Sequence, residues 1–330
     1  MRAITSRRSS ARFMEDKAML KVGLVGVGGI SGAHIPAWDA MDDAELVALC
    51  DVRPGQMEKY PGKRHYTEVD EMLEKEQLDI LDICLPTYLH AEVAQKAMER
   101  GIHVLSEKPI SLNREDVARL YDAARRNNVR FMVAQVLRFW PEYVALKEIY
   151  DSGRYGRLLS GCMTRLGRCP SWSWDDWMKD ESRSGLVPFD LHIHDLDFMV
   201  YAFGKPKHVM SFRARRPEQD VFTAIYDYGD FYINSEAAWY VADYPFTAGF
   251  RFQFERALVV LDGTLRVYTA EGSTSGGASG AGETGGIDLP QTNAYANEIR
   301  YFADCVKAGR DADVVKPEEL ETVIDILKSI

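Results

Sequence analysis

Short apolar runs alternate with amphipathic stretches from residue 21 to about residue 136. Five of the runs have the length and composition of one buried strand: KVGLVGV (21–27), ELVALCD (45–51), DILDICLP (79–86), IHVLSEKP (102–109) and RFMVAQV (130–136). Helical spacing is found at 34–41, 90–100 and 113–128, and the last of these begins at an asparagine with acids in its first turn. This alternating order predicts an α/β fold with a doubly wound parallel sheet.

The pattern changes after about residue 139, where apolar and polar residues alternate over longer stretches. We predict strands at 155–165, 209–228, 230–241 and 250–263, in an antiparallel sheet with one covered face. Asp262-Gly263 predicts a hairpin turn within this region. The stretch 272–286 has too little apolar surface to pack and is expected to form a mobile loop. Helical patterns at 293–309 and 317–330 end the chain.

The composition is that of a globular protein with room for two cores. The chain has 330 residues, of which 46% are hydrophobic and 27% are charged. A net charge of −10 makes nucleic acid and anionic membranes unfavourable partners, and no apolar run approaches the roughly 20 residues of a membrane helix. Five cysteines without a Cys-x-x-Cys spacing indicate a reducing cytoplasm. Residues 1–19, rich in arginine and serine, are expected to be an extension without fixed structure.

A glycine cluster separates the first predicted strand from the first predicted helix. In VGLVGVGGISG, Gly26, Gly28 and Ser31 occupy the positions of G-x-G-x-x-[G/A], with Gly29 and Ile30 between the last two. The first glycine permits a tight turn, the second lets the backbone approach a pyrophosphate, and the helix N-terminus supplies amide donors. A plain strand-to-helix turn is the alternative interpretation.

An acid at the end of the second strand supports a dinucleotide site. Asp51 follows Gly28 by 23 residues, about where a carboxylate would bind the hydroxyls of the adenosine ribose. A carboxylate at this position repels a 2′-phosphate and therefore favours NAD as the cofactor. Arg53 could pair with such a phosphate, which keeps NADP open.

The stretch FDLHIHDLDF (189–198) concentrates ligands and bases in ten positions. Histidine and aspartate are usual zinc ligands, but the same residues suit a general base with its orienting carboxylate, and a packed helix is a third interpretation. On a helix that begins near Asp190, residues 190, 194 and 197 share one face while His192 points elsewhere. This geometry singles out His194.

Further motifs follow in a fixed order along the chain. They are LPTYLH (85–90), EKP (107–109), RFWPEY (138–143), SGRYG (152–156) and DLHIHD (190–195). With the glycine turn and Asp51, this series resembles the Gfo/Idh/MocA family, named for glucose-fructose oxidoreductase and inositol dehydrogenase. The resemblance implies a Rossmann dinucleotide-binding domain at 20–138. It also implies an α+β domain at 139–330, with a large, mostly antiparallel sheet for substrate binding and for assembly into a homodimer or homotetramer.

The resemblance also assigns expected roles to single residues. It implies that the cofactor is lined by Pro86, Thr87 and His90 and that Glu107 and Lys108 approach the nicotinamide. The Lys108-Pro109 bond is expected to be cis, as in relatives. The family's D-x-G-x-H pattern falls on Asp190, His192 and His194, so His192 stands where many relatives have glycine; we expect it to pack away from the pocket.

The expected chemistry is the transfer of a hydride and a proton. His194 can act as a base at neutral pH, with Asp190 orienting it or binding a substrate hydroxyl. Lys108 would polarise the same oxygen, and the roles of Lys108 and His194 are interchangeable on the sequence alone. The candidates for substrate contacts are Trp140, Arg168, Trp172 and Trp174, with core packing as the alternative; PSWSWDDW (170–177) is also a candidate lid.

The sequence thus predicts an NAD(P)-dependent oxidoreductase that acts on a hydroxyl or carbonyl carbon of a sugar, cyclitol or related polyol. Two alternatives remain: an NAD-assisted glycoside-cleaving enzyme of the same family, and a non-catalytic sugar-sensing binder. No metal is expected, because further clusters of metal ligands are missing from the sequence.

Overall fold

The computed structural model describes residues 19–276 and 289–330. The predicted extension, apart from Met19, and residues 277–286 of the predicted loop lie outside this range, as do residues 287 and 288. Among the described residues, no helix combines the length and the apolar character needed to cross a membrane.

The first part of the chain forms a six-stranded sheet in which all strands are parallel. Its order is β3-β2-β1-β4-β5-β6. The strands are β1 Leu20–Val25, β2 Ala44–Cys50, β3 Arg64–Tyr66, β4 Ile80–Ile83, β5 His103–Glu107 and β6 Phe131–Ala134. The helices are α1 Ser31–Asp39, α2 Val69–Lys75, α3 Thr87–Glu99 and α4 Arg114–Arg126. The predicted doubly wound parallel sheet is confirmed.

Two elements of this part were not predicted, β3 and α2. Strand β3 is three residues long and has no buried residue, so it lacks the apolar run that identifies the other strands. Helix α2 buries only Met72 and Leu73, which leaves a weak amphipathic pattern.

The second part of the chain contains an eight-stranded sheet in the order β14-β13-β12-β11-β7-β10-β9-β8. Its strands are β7 Leu158–Arg168, β8 His208–Arg216, β9 Gln219–Asp227, β10 Tyr232–Tyr240, β11 Thr247–Phe254, β12 Leu258–Asp262, β13 Thr264–Thr269 and β14 Gly272–Gly276. Neighbours are antiparallel except β7 and β10, which are parallel. The predicted mostly antiparallel sheet and the hairpin at Asp262-Gly263 are therefore confirmed.

Three predictions were wrong in this sheet. The single strand expected at 250–263 is two antiparallel strands, β11 and β12, separated by residues 255–257. The single strand expected at 209–228 is a hairpin of β8 and β9, with Glu218 in a left-handed conformation at the turn. The stretch 272–276, expected to belong to a mobile loop, is β14 and pairs with β13. This edge strand has no apolar side chains and is held by backbone hydrogen bonds, so a prediction from hydrophobicity alone could not identify it.

Helices cover one face of the second sheet and leave the other open. The covering elements are α5 Pro141–Ser152, a π-helical turn Pro188–His192 and α7 Ile193–Phe203, whereas the short α6 Glu181–Ser184 packs against α3. Tyr143 of α5 and Phe198 of α7 meet edge to face at 5.0 Å, and Tyr143 meets Phe250 of β11 at 5.1 Å. These rings build the core beneath the functional segment 188–203.

The last two helices return to the first sheet. Helix α8, Ala294–Ala308, packs against α1, and helix α9, Pro317–Ser329, packs against α4. Ion pairs join Arg300 to Asp43 at 2.6 Å and Arg114 to Glu321 at 2.8 Å. The division into domains at residues 138 and 139 stays a prediction, with the C-terminal helices lying against the first part.

Candidate active site

The glycine turn after β1 has the shape that a dinucleotide requires. Gly26 has φ +89°, and a Cβ there would lie 2.5 Å from the carbonyl oxygen of Cys84, so a side chain is excluded. The Cβ position of Gly28 faces open space. Ser31 donates to the carbonyl oxygen of Gly28 at 2.8 Å and closes the turn onto the start of α1. The open side of Gly28 therefore lies beside a helix N-terminus, which suits a pyrophosphate.

Asp51 and Arg53 lie together at the end of β2. The Asp51 carboxylate accepts from the amide of Val27 at 2.9 Å and from the amide of Arg53 at 2.8 Å. The Arg53 guanidinium pairs with the same carboxylate at 3.2 Å. This links the acid to the glycine turn and holds the guanidinium that could otherwise bind a 2′-phosphate. The residues present thus fit NAD.

The turn after β5 positions Lys108. The Lys108-Pro109 bond is cis, as expected. Glu107 accepts from the amide of Lys108 at 3.1 Å and from His34 Nε2 at 3.1 Å, and His34 Nδ1 donates to Asp82 at 2.9 Å. Burial opposes the charged imidazole, but Asp82 outweighs it and raises the pKa of His34. Glu107 is buried and supports the turn beneath Lys108, and its approach to the nicotinamide stays a prediction.

The turn after β4 contains the other predicted cofactor residues. Pro86 is half-buried and Thr87 is buried at the start of α3. His90 is only 1% exposed, and its ring nitrogens lie 2.8 Å from the carbonyl oxygen of Pro109 and 2.6 Å from that of Leu85. The ring therefore joins the β4 and β5 turns. The role of His90 as a residue that lines the cofactor stays a prediction, and its buried ring lies against backbone carbonyl oxygens on both sides.

Lys108 reaches across to the second part of the chain. Its Nζ donates to the Asp190 carbonyl oxygen at 2.8 Å and lies 3.4 Å from Asp190 Oδ1. Asp190 belongs to the π-helical turn that precedes α7. Such turns often occur at functional sites. At this point the two parts of the chain meet through the Lys108 ammonium and the carbonyl and carboxylate oxygens of Asp190.

His194 lies one helical turn beyond Asp190 and is half-buried. Its Nδ1 is buried without a hydrogen-bond partner, and neither ring nitrogen is hydrogen-bonded within residues 19–276 and 289–330. Burial, with the positive charges of Lys108 and Arg165, lowers the pKa of His194 well below its usual value. The imidazole is therefore held in its neutral form.

The remaining polar residues of FDLHIHDLDF face away from this point. His192 is fully buried; its Nε2 lies 2.5 Å from the Tyr226 hydroxyl, and Ser235 Oγ lies 3.3 Å from its Nδ1. Burial lowers the pKa of His192 to about 3. The expectation that His192 packs away from the pocket agrees with this placement.

The two acids that follow are also paired. Asp195 bonds Arg165 at 2.7 Å, and Asp197 bonds Arg138 at 2.6 Å. The predicted common face of Asp190, His194 and Asp197 is not supported for Asp197, whose carboxylate is buried against Arg138. With His192 and both acids engaged, the stretch offers fewer free ligands than the three of a catalytic zinc site.

The residues predicted to contact the substrate lie in different parts of the structure. Trp140, 37% exposed, meets Tyr295 edge to face at 6.3 Å. Arg168 is exposed and pairs with Asp243 at 3.2 Å, so its predicted substrate role is not supported. Trp172 and Trp174 lie beside Gly29 and Arg53, at the dinucleotide groove. Their contacts with the substrate stay a prediction, and the chain after β7 brings both rings to the side of the first sheet.

Several functional neighbours were missed by sequence reasoning. Tyr295, at the start of α8, packs 6.0 Å from the His34 ring. Arg165 donates to Asp195 and to the Tyr143 hydroxyl, at 2.7 and 3.2 Å. An arginine within an apolar alternating strand was the available signal for Arg165, whereas Tyr295 gave none.

The comparisons with known proteins agree with this geometry. Residues 20–135 match the family model of an oxidoreductase family with an NAD-binding Rossmann fold, GFO/IDH/MocA, and residues 143–274 match the model of the GFO/IDH/MocA C-terminal domain. The chain belongs to the GFO/IDH/MocA family of oxidoreductases, and its first domain is an NAD-binding Rossmann domain.

Curated relatives are similar over part of their length. Inositol 2-dehydrogenase of Rhizobium meliloti is 30% identical over 188 residues, which is 56% of this chain and 56% of the relative. Glucose-6-phosphate 3-dehydrogenase of Bacillus subtilis is 28% identical over 226 residues, or 65% of this chain and 64% of the relative. The alignments thus span about half to two thirds of these relatives.

Solved structures share the fold over nearly the whole chain. A levoglucosan dehydrogenase in complex with NADH and levoglucosan superposes with a TM-score of 0.80 at 20% identity, covering 94% of this chain and 96% of that one. A dehydrogenase from Chromobacterium violaceum gives a TM-score of 0.79 at 22% identity, covering 95% and 94%.

Proposed function

We propose that this protein is an NAD-dependent dehydrogenase that transfers a hydride between the nicotinamide and a CH–OH or carbonyl carbon of a sugar, cyclitol or related polyol. The observation that supports it most is the meeting of Lys108 from the first domain with Asp190 from the second, next to the unpaired His194. The names of the relatives, an inositol and a sugar phosphate dehydrogenase, support the substrate class.

Lys108 positions and polarises the substrate oxygen. Its ammonium has three donor hydrogens, and Asp190 accepts one at its carbonyl oxygen, 2.8 Å away, and attracts a second at Oδ1, 3.4 Å away. The third hydrogen is then available to the reacting oxygen. A fixed positive charge at that oxygen stabilises the negative charge that develops when the hydroxyl loses its proton.

His194 accepts the proton of the hydroxyl. Its neutral imidazole stands beside Lys108, and the lowered pKa keeps it neutral. Its ring nitrogens have no hydrogen-bond partner among the described residues, so the imidazole can form a hydrogen bond with the substrate. NAD, bound along the glycine turn, supplies the hydride acceptor. The pairing of Asp51 with Arg53 favours NAD over NADP, since the carboxylate would repel a 2′-phosphate.

The open face of the second sheet supports a homodimer or homotetramer. Large apolar side chains stand exposed on its strands, among them Leu159, Met210, Phe212 and Tyr232. Covering them against a second copy would remove apolar area from water. A cytoplasmic location agrees with five cysteine thiols without a disulfide. The net charge of −10 disfavours a nucleic-acid or membrane partner.

Turnover with the Lys108→Met variant tests this function. We expect the wild type to form one NADH for each polyol oxidised and the variant to lose about 10²–10³-fold in kcat, the cost of one lost donor to a developing oxyanion. Absorbance of NADH across a panel of sugars and cyclitols measures both. Lys75→Met, which removes an exposed lysine of α2 paired only with Glu71, is the matched control.

Two results would contradict the proposal. Full activity of Lys108→Met would mean that Lys108 takes no part in the mechanism. Product formation without net NADH would favour the redox-neutral cleavage of a glycoside, the alternative use of the same residues.

A further inference from the structure

A segment of the second domain lies along the cofactor groove of the first. We define residues 170–185 as the strap. Its Trp172 ring covers Gly29 in the loop after β1: a Cβ built on Gly29 would lie 3.3 Å from the indole. Trp174 faces the guanidinium of Arg53 in the loop after β2, 5.9 Å from Cζ to the ring centre.

A third contact lies at the loop after β4. Arg183 of the strap donates to the Tyr88 hydroxyl at 3.0 Å, and its guanidinium lies 4.7 Å from the centre of that ring. Dinucleotides bind at the carboxyl ends of parallel strands, and the strap therefore touches three of the loops that form such a site.

We propose that the strap belongs to the dinucleotide site, with Trp174 and Arg53 enclosing the adenine and Trp172 covering the pyrophosphate. The proposal rests on the NAD-binding fold and does not depend on which substrate is oxidised. In this arrangement the cofactor leaves only when the strap moves, so NADH release is slow.

The spacing between Trp174 and Arg53 suits one planar base. Two stacked contacts of about 3.5 Å need roughly 7 Å between the outer groups, about 1 Å more than the present separation. The observed 5.9 Å is wider than direct contact, and Asp51 holds the guanidinium in place at 3.2 Å. A small opening would admit an adenine between an aromatic face and a cation.

The glycine turn leaves room for the pyrophosphate beneath Trp172. The Cβ position of Gly28 is open, whereas that of Gly29 is covered by the indole. The phosphates can therefore lie along Gly28 and the start of α1 while Trp172 closes the site from the side of Gly29.

The backbone of the strap is held in an unusual shape. Asp175 and Asp176 have φ of 53° and 46°, in the left-handed region. Arg183 donates to the Asp175 carbonyl oxygen at 3.1 Å and to its carboxylate at 3.0 Å, which fixes this turn. Trp174 consequently points to Arg53, while Trp177 packs against the core. Such strain is common at ligand clamps.

Both strap tryptophans remain available to a ligand. Trp172 is 68% exposed and Trp174 is 41% exposed. Two large apolar rings in an anchored segment beside a binding groove are more readily explained by a ligand than by packing.

Binding of cofactor fragments to the full chain tests the role of Trp174. We expect Trp174→Ala to weaken ADP-ribose binding about tenfold, the order of one lost base-stacking contact, and to leave nicotinamide mononucleotide unchanged. Trp174→Phe, which keeps an aromatic face, should lie between the variant and the wild type. Trp177→Phe is the matched control from the same segment, and calorimetric titration is the measurement.

Stopped-flow dissociation of NADH tests Trp172. We expect Trp172→Ala to release NADH about tenfold faster, since one aromatic contact over the bound cofactor is lost. Melting temperatures of the Trp172 and Trp174 variants should match the wild type, because these two rings are exposed.

Three results would overturn the proposal: unchanged ADP-ribose affinity in Trp174→Ala, equal weakening of both fragments, or NADH release that is unchanged or slower in Trp172→Ala. A wild type that binds NAD but oxidises no polyol would contradict the proposed function and leave this inference standing.

Discussion

The segment 188–203 has two sides, and both carry histidine and aspartate. The polar residues of the two sides differ in whether they have hydrogen-bond partners within the fold. The side at the groove holds Asp190 against Lys108 and leaves His194 without a hydrogen-bond partner among the described residues. The side toward the sheet and core satisfies each polar residue with a specific partner: His192 with Tyr226, Asp195 with Arg165 and Asp197 with Arg138.

The difference indicates that one side of this helix stabilises the fold and that the other side serves substrate binding. A buried polar group without a partner destabilises a fold, so such a group is retained where a ligand can supply the partner. The paired residues stabilise the second domain, and the unpaired histidine keeps its hydrogen-bonding capacity for the substrate. The following predictions test this division.

Replacement of His194 should give the largest effect on activity. We expect His194→Gln to lower kcat about 10²–10⁴-fold, the usual contribution of a general base. Its melting temperature should equal that of the wild type, since His194 makes no hydrogen bond within the described part of the chain. Steady-state kinetics and thermal denaturation measure the two quantities.

The pH profile provides the control for the same residue. The pKa of His194 is lowered by burial and by Lys108, so the base form persists below the ordinary value of about 6.5. The acidic limb of wild-type kcat/KM should therefore lie below that pH and be absent in the variant. An unmoved acidic limb in His194→Gln would assign the base to another group.

Replacement of Arg138 should give the largest effect on stability. Arg138→Met leaves the buried Asp197 and its neighbour Glu319 without their shared cation, now at 2.6 and 2.5 Å. We expect the free energy of unfolding to fall by about 3–5 kcal/mol, as for other broken buried pairs. Urea denaturation measures it.

The matched control is Arg125→Met, which removes an exposed arginine of α4 and should change the stability by less than about 0.5 kcal/mol. Equal stability of the two variants would mean that the Asp197 side of the helix is not held by its ion pair.

Replacement of His192 should give the smallest effect. His192→Phe retains an aromatic ring beside Phe222 but leaves the Tyr226 hydroxyl unsatisfied, so we expect a loss of about 1–3 kcal/mol. The double variant with Tyr226→Phe should recover most of this loss, because both polar groups are then gone. A large loss of kcat in folded His192→Phe would place this histidine in the active site and break the comparison.

Sequence reasoning was most effective where a function constrains consecutive residues. The glycine turn, Asp51 and the EKP turn lie next to apolar strands, so their position at the edge of the sheet followed from the strand pattern. It did not foresee the contacts of Glu107 and His90, whose side chains turn inward to His34 and to the carbonyl oxygens of Pro109 and Leu85. The direction of a turn residue depends on contacts distant in sequence, which a local pattern does not contain.

The position of the strap also depends on contacts distant in sequence, which a local pattern does not contain. Its tryptophans were identifiable as ligand-binding candidates, but the sequence did not show that the chain after β7 crosses to the loops of the first sheet and brings them to Gly29 and Arg53. Likewise, the parallel pairing of β7 with β10 joins strands about seventy residues apart and has no local signal.

By itself the sequence determined the two sheet types, the dinucleotide turn and the choice of Lys108, Asp190 and His194 as candidates, because periodicity, glycine geometry and motif order are local properties. Only the tertiary structure decided which polar residues stay unpaired. His192 and His194 are two positions apart and chemically identical, and their difference arises from Tyr226 and Ser235 on one side and the groove on the other. A side chain's partner is a property of the packed chain, since it depends on residues brought together by the sheets.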